Sequence, residues 1–325
     1  EMRSITTILC TVLAPVAFGF LHVPMMPMGR TSLAFIPRDI VRCPKTTLGA
    51  TEGKEGGNGV MSSNWLSHAM LRVPDVNATV DCWLNRGATL SSYRKAGQSE
   101  TAFVTMGNGQ EGEDAFRRCF SLEVTKLPAG EEVRPGNAIS YFGISMLLEF
   151  RNNLIGAAAG AKPQKRSREE SLDPNSFEIR SVASGPGDHF CRLCLRTANA
   201  ENGLDVLQET EDFYTTLLGM KTFANDDDMV CIRCPQGGNY GAAITLVFVR
   251  GDDEEPLDHG NIFDHIVVST KSVDSAAELL RGKVQESAIF MEPQDMFGTK
   301  IMGLKDPNGY SVYLAEMDSR QTANP

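Results

Sequence analysis

A chain of 325 residues exceeds what one hydrophobic core usually organises, so two domains are expected. Its 42% apolar and 22% charged residues exclude wholesale disorder. A formal charge of −10 excludes a surface built overall to neutralise phosphates, and no nucleic acid partner is expected.

In chain order, residues 5–17 form an apolar run interrupted by Pro15, the length of a signal core and too short for a membrane span. From 18 to 51 the sole acid is Asp39, while Arg30, Arg38, Arg42 and Lys45 are basic amid Ser, Thr, Met and Pro. Residues 1–55 therefore read as a signal plus plastid transit-like leader, resembling the bipartite leaders of algae with secondary plastids, with cleavage expected between Ala17 and Phe18. A plain secretory signal, hence secretion, is the alternative. No membrane span is expected in the mature protein.

The body opens with an apolar strand at 66–73, stopped by Pro74. Val76, Val80 and Leu84 then recur with helical period until Gly87, and strands follow at 89–93, 101–106 and 120–124. The same βαβββ order recurs, which marks a repeat. A weaker second unit has a strand at 137–145, a helix at 146–159 and a strand at 177–182. It is interrupted by the charged run 162–170, read as a solvated loop. The third unit has a strand at 191–197, a helix at 207–218 and strands at 221–224, 229–234 and 244–249. The fourth has strands at 262–269, 298–304 and 310–315, with a helix over 273–281. These assign a first domain to 65–183, with a degenerate second module, and a second domain to 188–317.

Cys191 and Cys194, with Cys231 and Cys234, form two CxxC pairs that invite a zinc reading. Both lie in strand-like runs, where residues three apart point to opposite faces, so reduced core thiols are expected. On 66–73 the residues His68, Met70 and Arg72 share one face, Glu123 points away from Leu122 and Val124, and His265 alternates with Ile266 and Val268. Two His and one carboxylate make a donor set suited to Zn, Fe(II), Ni or Mn. His22, His189 and His259 receive no role.

Three motifs, Phe213-Tyr-Thr-Thr-Leu-Leu-Gly-Met-Lys-Thr-Phe223, Asp264-His-Ile-Val-Val268 and Asp306-Pro-Asn-Gly-Tyr310, resemble vicinal-oxygen-chelate proteins; the run from His68 to Asp75 resembles the opening of glyoxalase I. The two-domain plant-type arrangement of that family covers about residues 65–316. The resemblance implies an α+β fold of tandem βαβββ modules pairing into two glyoxalase/bleomycin-resistance/dihydroxybiphenyl dioxygenase-like domains, as a monomer of two pseudo-symmetric domains or a homodimer. It places metal ligands at His68, Glu123 and His265, with Tyr313 in the fourth position. The complementary pairing carries Arg192, Leu246, Tyr141 and a residue near Glu178 instead, although in plant-type enzymes that pairing keeps its ligands.

The activity so implied is lactoylglutathione lyase. A divalent metal (Zn, Ni or Fe(II)) polarises the vicinal oxygens of the methylglyoxal–glutathione hemithioacetal, Glu123 shuttles the proton as catalytic base, and Arg72 grips a carboxylate of the co-substrate glutathione. Leu127 stands where the family has a polar partner. The partner class is a small-molecule substrate. Two further readings stay open: a non-catalytic binding protein on the same scaffold, and another metalloenzyme of the superfamily such as a dioxygenase.

Overall fold

Short runs of β-branched and aromatic residues, cut by turns, build fourteen strands among the described residues. The computed structural model describes residues 64–105, 120–145, 172–182, 190–199, 205–234, 244–251, 255–296 and 298–316, all within the unit Pro44–Pro325. The first module is β1 (Trp65–Val73), α1 (Val76–Leu84), β2 (Thr89–Ala96), β3 (Ser99–Thr105) and β4 (Ser121–Lys126). β5 (Ile139–Ser145) and β6 (Ile179–Val182) represent the second. Its expected helix at 146–159, the charged run 162–170 and the whole leader lie outside the described residues.

The third module is β7 (Phe190–Arg196), α2 (Val206–Asp212), β8 (Lys221–Asn225), β9 (Met229–Arg233) and β10 (Thr245–Val249). The fourth is β11 (Phe263–Thr270), α3 (Val273–Leu280), β12 (Ile289–Met296), β13 (Thr299–Lys305) and β14 (Ser311–Glu316). Side chains of Asp75, Asp205 and Ser272 cap the three helices by accepting from backbone N–H groups of the first turn. The expected helix at 207–218 is α2 followed by a wider π-helical turn, Phe213–Leu217. β12 was not expected: Pro293 argues against a strand in general, but β12 is the edge of its sheet, where a missing N–H costs no ladder bond.

The strands form two sheets, β12-β13-β14-β11-β1-β4-β3-β2 and β6-β5-β7-β10-β9-β8. The first module thus joins the fourth through the antiparallel pair β1–β11, and the second joins the third through β5–β7. Each half of the chain gives one module to each sheet. One continuous hydrophobic cluster takes residues from both sheets and all three helices, with Trp83 of α1 against Phe142 of β5 at 5.4 Å between ring centres. The buried Tyr310 hydroxyl lies 2.7 Å from the Arg196 carbonyl oxygen and 3.0 Å from that of Ala138, and its single proton shared between these acceptors links the fourth module to the third and second. A separate small cluster of Tyr141, Cys194, Cys231 and Val247 covers the other face of the six-stranded sheet.

The CxxC residues part as strand geometry requires: Cys231 lies in the small cluster and Cys234 against the main core. Burial pushes the thiols of Cys194 and Cys234 up to about 12, which opposes the thiolate that zinc needs. No helix among the described residues is long and apolar enough to cross a membrane.

Candidate metal centre

The face of β1 that bears His68 depends on a local irregularity. Leu66 and Ala69 both enter the core although they are three positions apart, and the register with β11 shifts between Leu66 and His68. This bulge resets the alternation, so that Ala69, Leu71 and Val73 face inward while His68, Met70 and Arg72 face the opposite side. Parallel pairing then sets Glu123 of β4 beside Met70, and antiparallel pairing sets His265 of β11 on the other flank of Met70. Leu122 and Val124 point into the core, as alternation requires.

The three side chains converge. A ligand atom from each of His68, Glu123 and His265 lies within 4.8 Å of the others, and all three residues are partly buried. The His68 Nε2 is 3.2 Å from the Glu123 Oε2. Nitrogen and oxygen donors around one tetrahedral zinc stand about 3.4 Å apart, so the set needs only small side-chain rotations to close. Its chemistry, two imidazoles and one carboxylate, fits a divalent transition metal. Tyr313 of β14 is two strands from β1 and packs its ring edge-on against His265 at 4.6 Å between centres. Burial, then the Asp264 charge, raises its phenol, which keeps it protonated and a poor ligand.

One residue at the centre escaped the reading of the sequence. Asp264 accepts from His265 Nδ1 at 2.6 Å and pairs with Arg72 at 2.7 Å. Burial alone would raise its carboxyl, but the His265 hydrogen bond and the charges of His265, Arg72 and Lys305 outweigh that and hold it below the ordinary value. A carboxylate on Nδ1 fixes the tautomer in which Nε2 carries the lone pair, as second-sphere carboxylates do for metal-bound histidines. The signal was present in the sequence as an acid immediately before the histidine. Arg72 therefore spends part of its charge on Asp264, while its side chain remains 40% exposed. Aromatic rings border the cluster: Phe103 meets His68 at 5.7 Å and Phe290 meets Tyr313 at 5.4 Å.

The corresponding face of the six-stranded sheet is differently furnished. In the first sheet His68 registers with Ser121 and Met70 with Glu123; in the second, Arg192 registers with Thr245 and Cys194 with Val247. The position matching Glu123 is therefore Val247, and not Leu246, which faces the core. Tyr141 matches His265, both being paired one row from the first position. The position matching Tyr313 is Arg180, two residues beyond Glu178, because Gly143 pairs with Arg180 as Val267 pairs with Tyr313.

Residues 205–314 match the family described as the Glyoxalase/Bleomycin resistance protein/Dioxygenase superfamily. A search of curated protein sequences finds no match. Among solved structures the chain is similar to glyoxalase I from Zea mays, with a TM-score of 0.58 and 22% identity over 78% of this chain and 92% of that one. A point mutant of the same maize enzyme gives 0.60 and 20%, covering 78% and 94%. The vicinal-oxygen-chelate resemblance read from the motifs is thereby borne out, and the α+β fold of paired sheets is shared with glyoxalase I.

Proposed function

We propose that the protein is a glyoxalase I-like lyase that isomerises the methylglyoxal–glutathione hemithioacetal in a plastid. The observation that carries this reading is the convergence of His68, Glu123 and His265 on one sheet face of a fold shared with glyoxalase I. His68, Glu123 and His265 would hold the metal, with Asp264 orienting His265. When bound, the metal supplies Lewis acidity to two vicinal substrate oxygens. Glu123 takes the proton from the carbon that bears sulfur and returns it to the adjacent carbonyl carbon, while the hydroxyl proton passes to the neighbouring oxygen. The product is an isomer and no oxidant is consumed. Arg72, through its exposed edge, offers a contact for a glutathione carboxylate. The leader-like residues 1–55 support the plastid assignment, which a fluorescent fusion of that segment checks.

The decisive experiment measures hemithioacetal turnover by protein without residues 1–55, loaded with Zn, Ni or Co, alongside metal content by mass spectrometry. We expect turnover with at least one metal and a loss of at least about 100-fold in kcat for Glu123→Gln. Absence of turnover with all three overturns the reading. A second reading is favoured by Tyr313, whose ring occupies the fourth position without offering a carboxylate. In it the scaffold binds a small molecule without transforming it, and a metal-loaded but inactive protein is its signature.

A further inference from the structure

The register of the six-stranded sheet brings together residues that the metal centre does not use. Arg180 of β6 stands opposite Gly143 of β5, Gly143 opposite Arg192 of β7, and Arg192 opposite Thr245 of β10. The row continues from Thr245 to Arg233 of β9 and from Arg233 to Lys221 of β8. Four of six positions in one row are cationic, in a chain whose formal charge is −10. Gly143, Arg192, Thr245 and Arg233 lie on the face of Tyr141, Cys194, Val247 and Cys231, two residues away on each strand; Arg180 is two residues from Val182, which packs on that cluster, and Lys221 joins the row through its register with Arg233.

Like charges directly opposite each other across strands are destabilising, and Arg233 faces Lys221 in register. The row is nevertheless shaped to keep its arginines. The Arg180 guanidinium lies 4.4 Å over the Tyr141 ring and Arg233 lies 4.0 Å over the Phe223 ring. The Arg233 Nε donates to the Thr245 hydroxyl, and Arg192 hydrogen-bonds to the Tyr141 hydroxyl. A Cβ on Gly143 would stand 2.8 Å from the Cβ of Arg192 and 3.1 Å from Val182, so the missing side chain is the space along which Arg192 runs. Glu178 pairs with Arg180 at 2.7 Å, at the end of the row. Strands are spaced by about 4.8 Å, which sets Arg192 about 10 Å from Arg180 and from Arg233 along the sheet.

Arg192 and Arg180 occupy the places that His68 and Tyr313 hold in the other sheet. The face that would cradle a cation has thus become cationic itself. We propose that this row is a second binding site, for a small molecule bearing phosphate or carboxylate groups, whose oxyanions the Arg192 and Arg233 guanidiniums engage and whose charge relieves the repulsion along the row. The site is independent of the proposed lyase activity.

Thermal unfolding of the protein, in EDTA and at fixed ionic strength, tests it with inorganic pyrophosphate and citrate as separate probes. A ligand that binds only the folded state raises Tm with saturation. We expect a saturable rise with at least one probe. Pyrophosphate alone identifies a phosphate site, citrate alone a carboxylate site, and both a general oxyanion site. Arg192→Gln and Arg233→Gln, each checked for native circular dichroism, are expected to weaken the apparent affinity at least ten-fold, with Arg192→Lys weakening it less and His68→Ala leaving it unchanged. No rise with either probe, or a rise that both Gln variants retain, overturns the proposal.

Discussion

At the scale of single residues, the orientation of His265 depends on a carboxylate one position before it. Asp264 binds Nδ1 at 2.6 Å and is itself anchored by Arg72 at 2.7 Å, so one contact chain runs from an exposed guanidinium to a metal-competent nitrogen. Removing the negative charge while keeping the shape is expected to weaken the metal rather than the fold. Asp264→Asn should lose about 10- to 100-fold in zinc affinity, measured by competition with a chromophoric chelator, with little change in the unfolding midpoint. An unchanged affinity would show that Asp264 only solvates Arg72. Alternation orients His68, Glu123 and His265 each within its own strand; their meeting on one sheet was implied by the family resemblance, and the bulge in β1 that sets the face of His68 was not legible. Alternation could not reveal Asp264, because neighbours in a strand are assigned to opposite faces, whereas this side chain turns back to the ring beside it near the start of β11.

At the scale of elements, two turns are built alike. Asp306 accepts the backbone N–H groups of Asn308 and Tyr310, and Asn308 donates to the Thr210 hydroxyl of α2. Asp173 accepts those of Asn175 and Phe177, and Asn175 donates to the Thr79 hydroxyl of α1. The match between Asp173-Pro-Asn-Ser-Phe177 and Asp306-Pro-Asn-Gly-Tyr310 was legible in the sequence and would have fixed the register of β6, placing Arg180 three residues after Phe177 as Tyr313 follows Tyr310. It was obscured by Ser176, which holds φ at +70° where Gly309 has +82°.

Complete burial pushes Asp306 up to about 6, against the hydrogen bonds from Tyr310, Asn308 and Tyr214 that favour its charge. An acid with a native pKa above its unfolded value holds an extra proton only when folded. Stability therefore falls as pH rises from about 4 to about 6, and the deficit persists above that window. Asparagine keeps the acceptor for both backbone N–H groups without the charge. Asp306→Asn should thus gain on the wild type with rising pH, by on the order of 2 kcal/mol between pH 4 and pH 7 in urea unfolding. A pH-independent difference contradicts this account.

At the scale of the whole molecule, the pairing of first with fourth and second with third module depends on two linkers that cross. Asn137 donates its backbone N–H to the Asp258 carbonyl and its side-chain amide to the Pro256 carbonyl; Asn261 donates likewise to the carbonyls of Arg134 and Glu132. Each asparagine follows a glycine with positive φ, Gly136 at +67° and Gly260 at +58°. The crossing leaves no room for a side chain: a Cβ on Gly260 would stand 2.1 Å from the Arg134 carbonyl oxygen, and one on Gly136 would stand 2.3 Å from that of Asp258. The repeated modules were legible from hydrophobic period. The crossing was not, since it joins residues 119 to 129 positions apart. Gly260→Ala combines a left-handed conformation costing about 1–2 kcal/mol with a backbone collision, and a loss of about 3 kcal/mol or more is expected in denaturant unfolding. Gly97→Ala is the internal control, because Gly97 has φ +61° but nothing within 4 Å of its Cβ position, so only the conformational cost remains. Because β11 begins three residues after Gly260, displacing the crossing should also move His265 away from His68 and lower metal affinity in the Gly260 variant alone. Equal losses in the two variants would mean that the linkers carry no special part of the assembly.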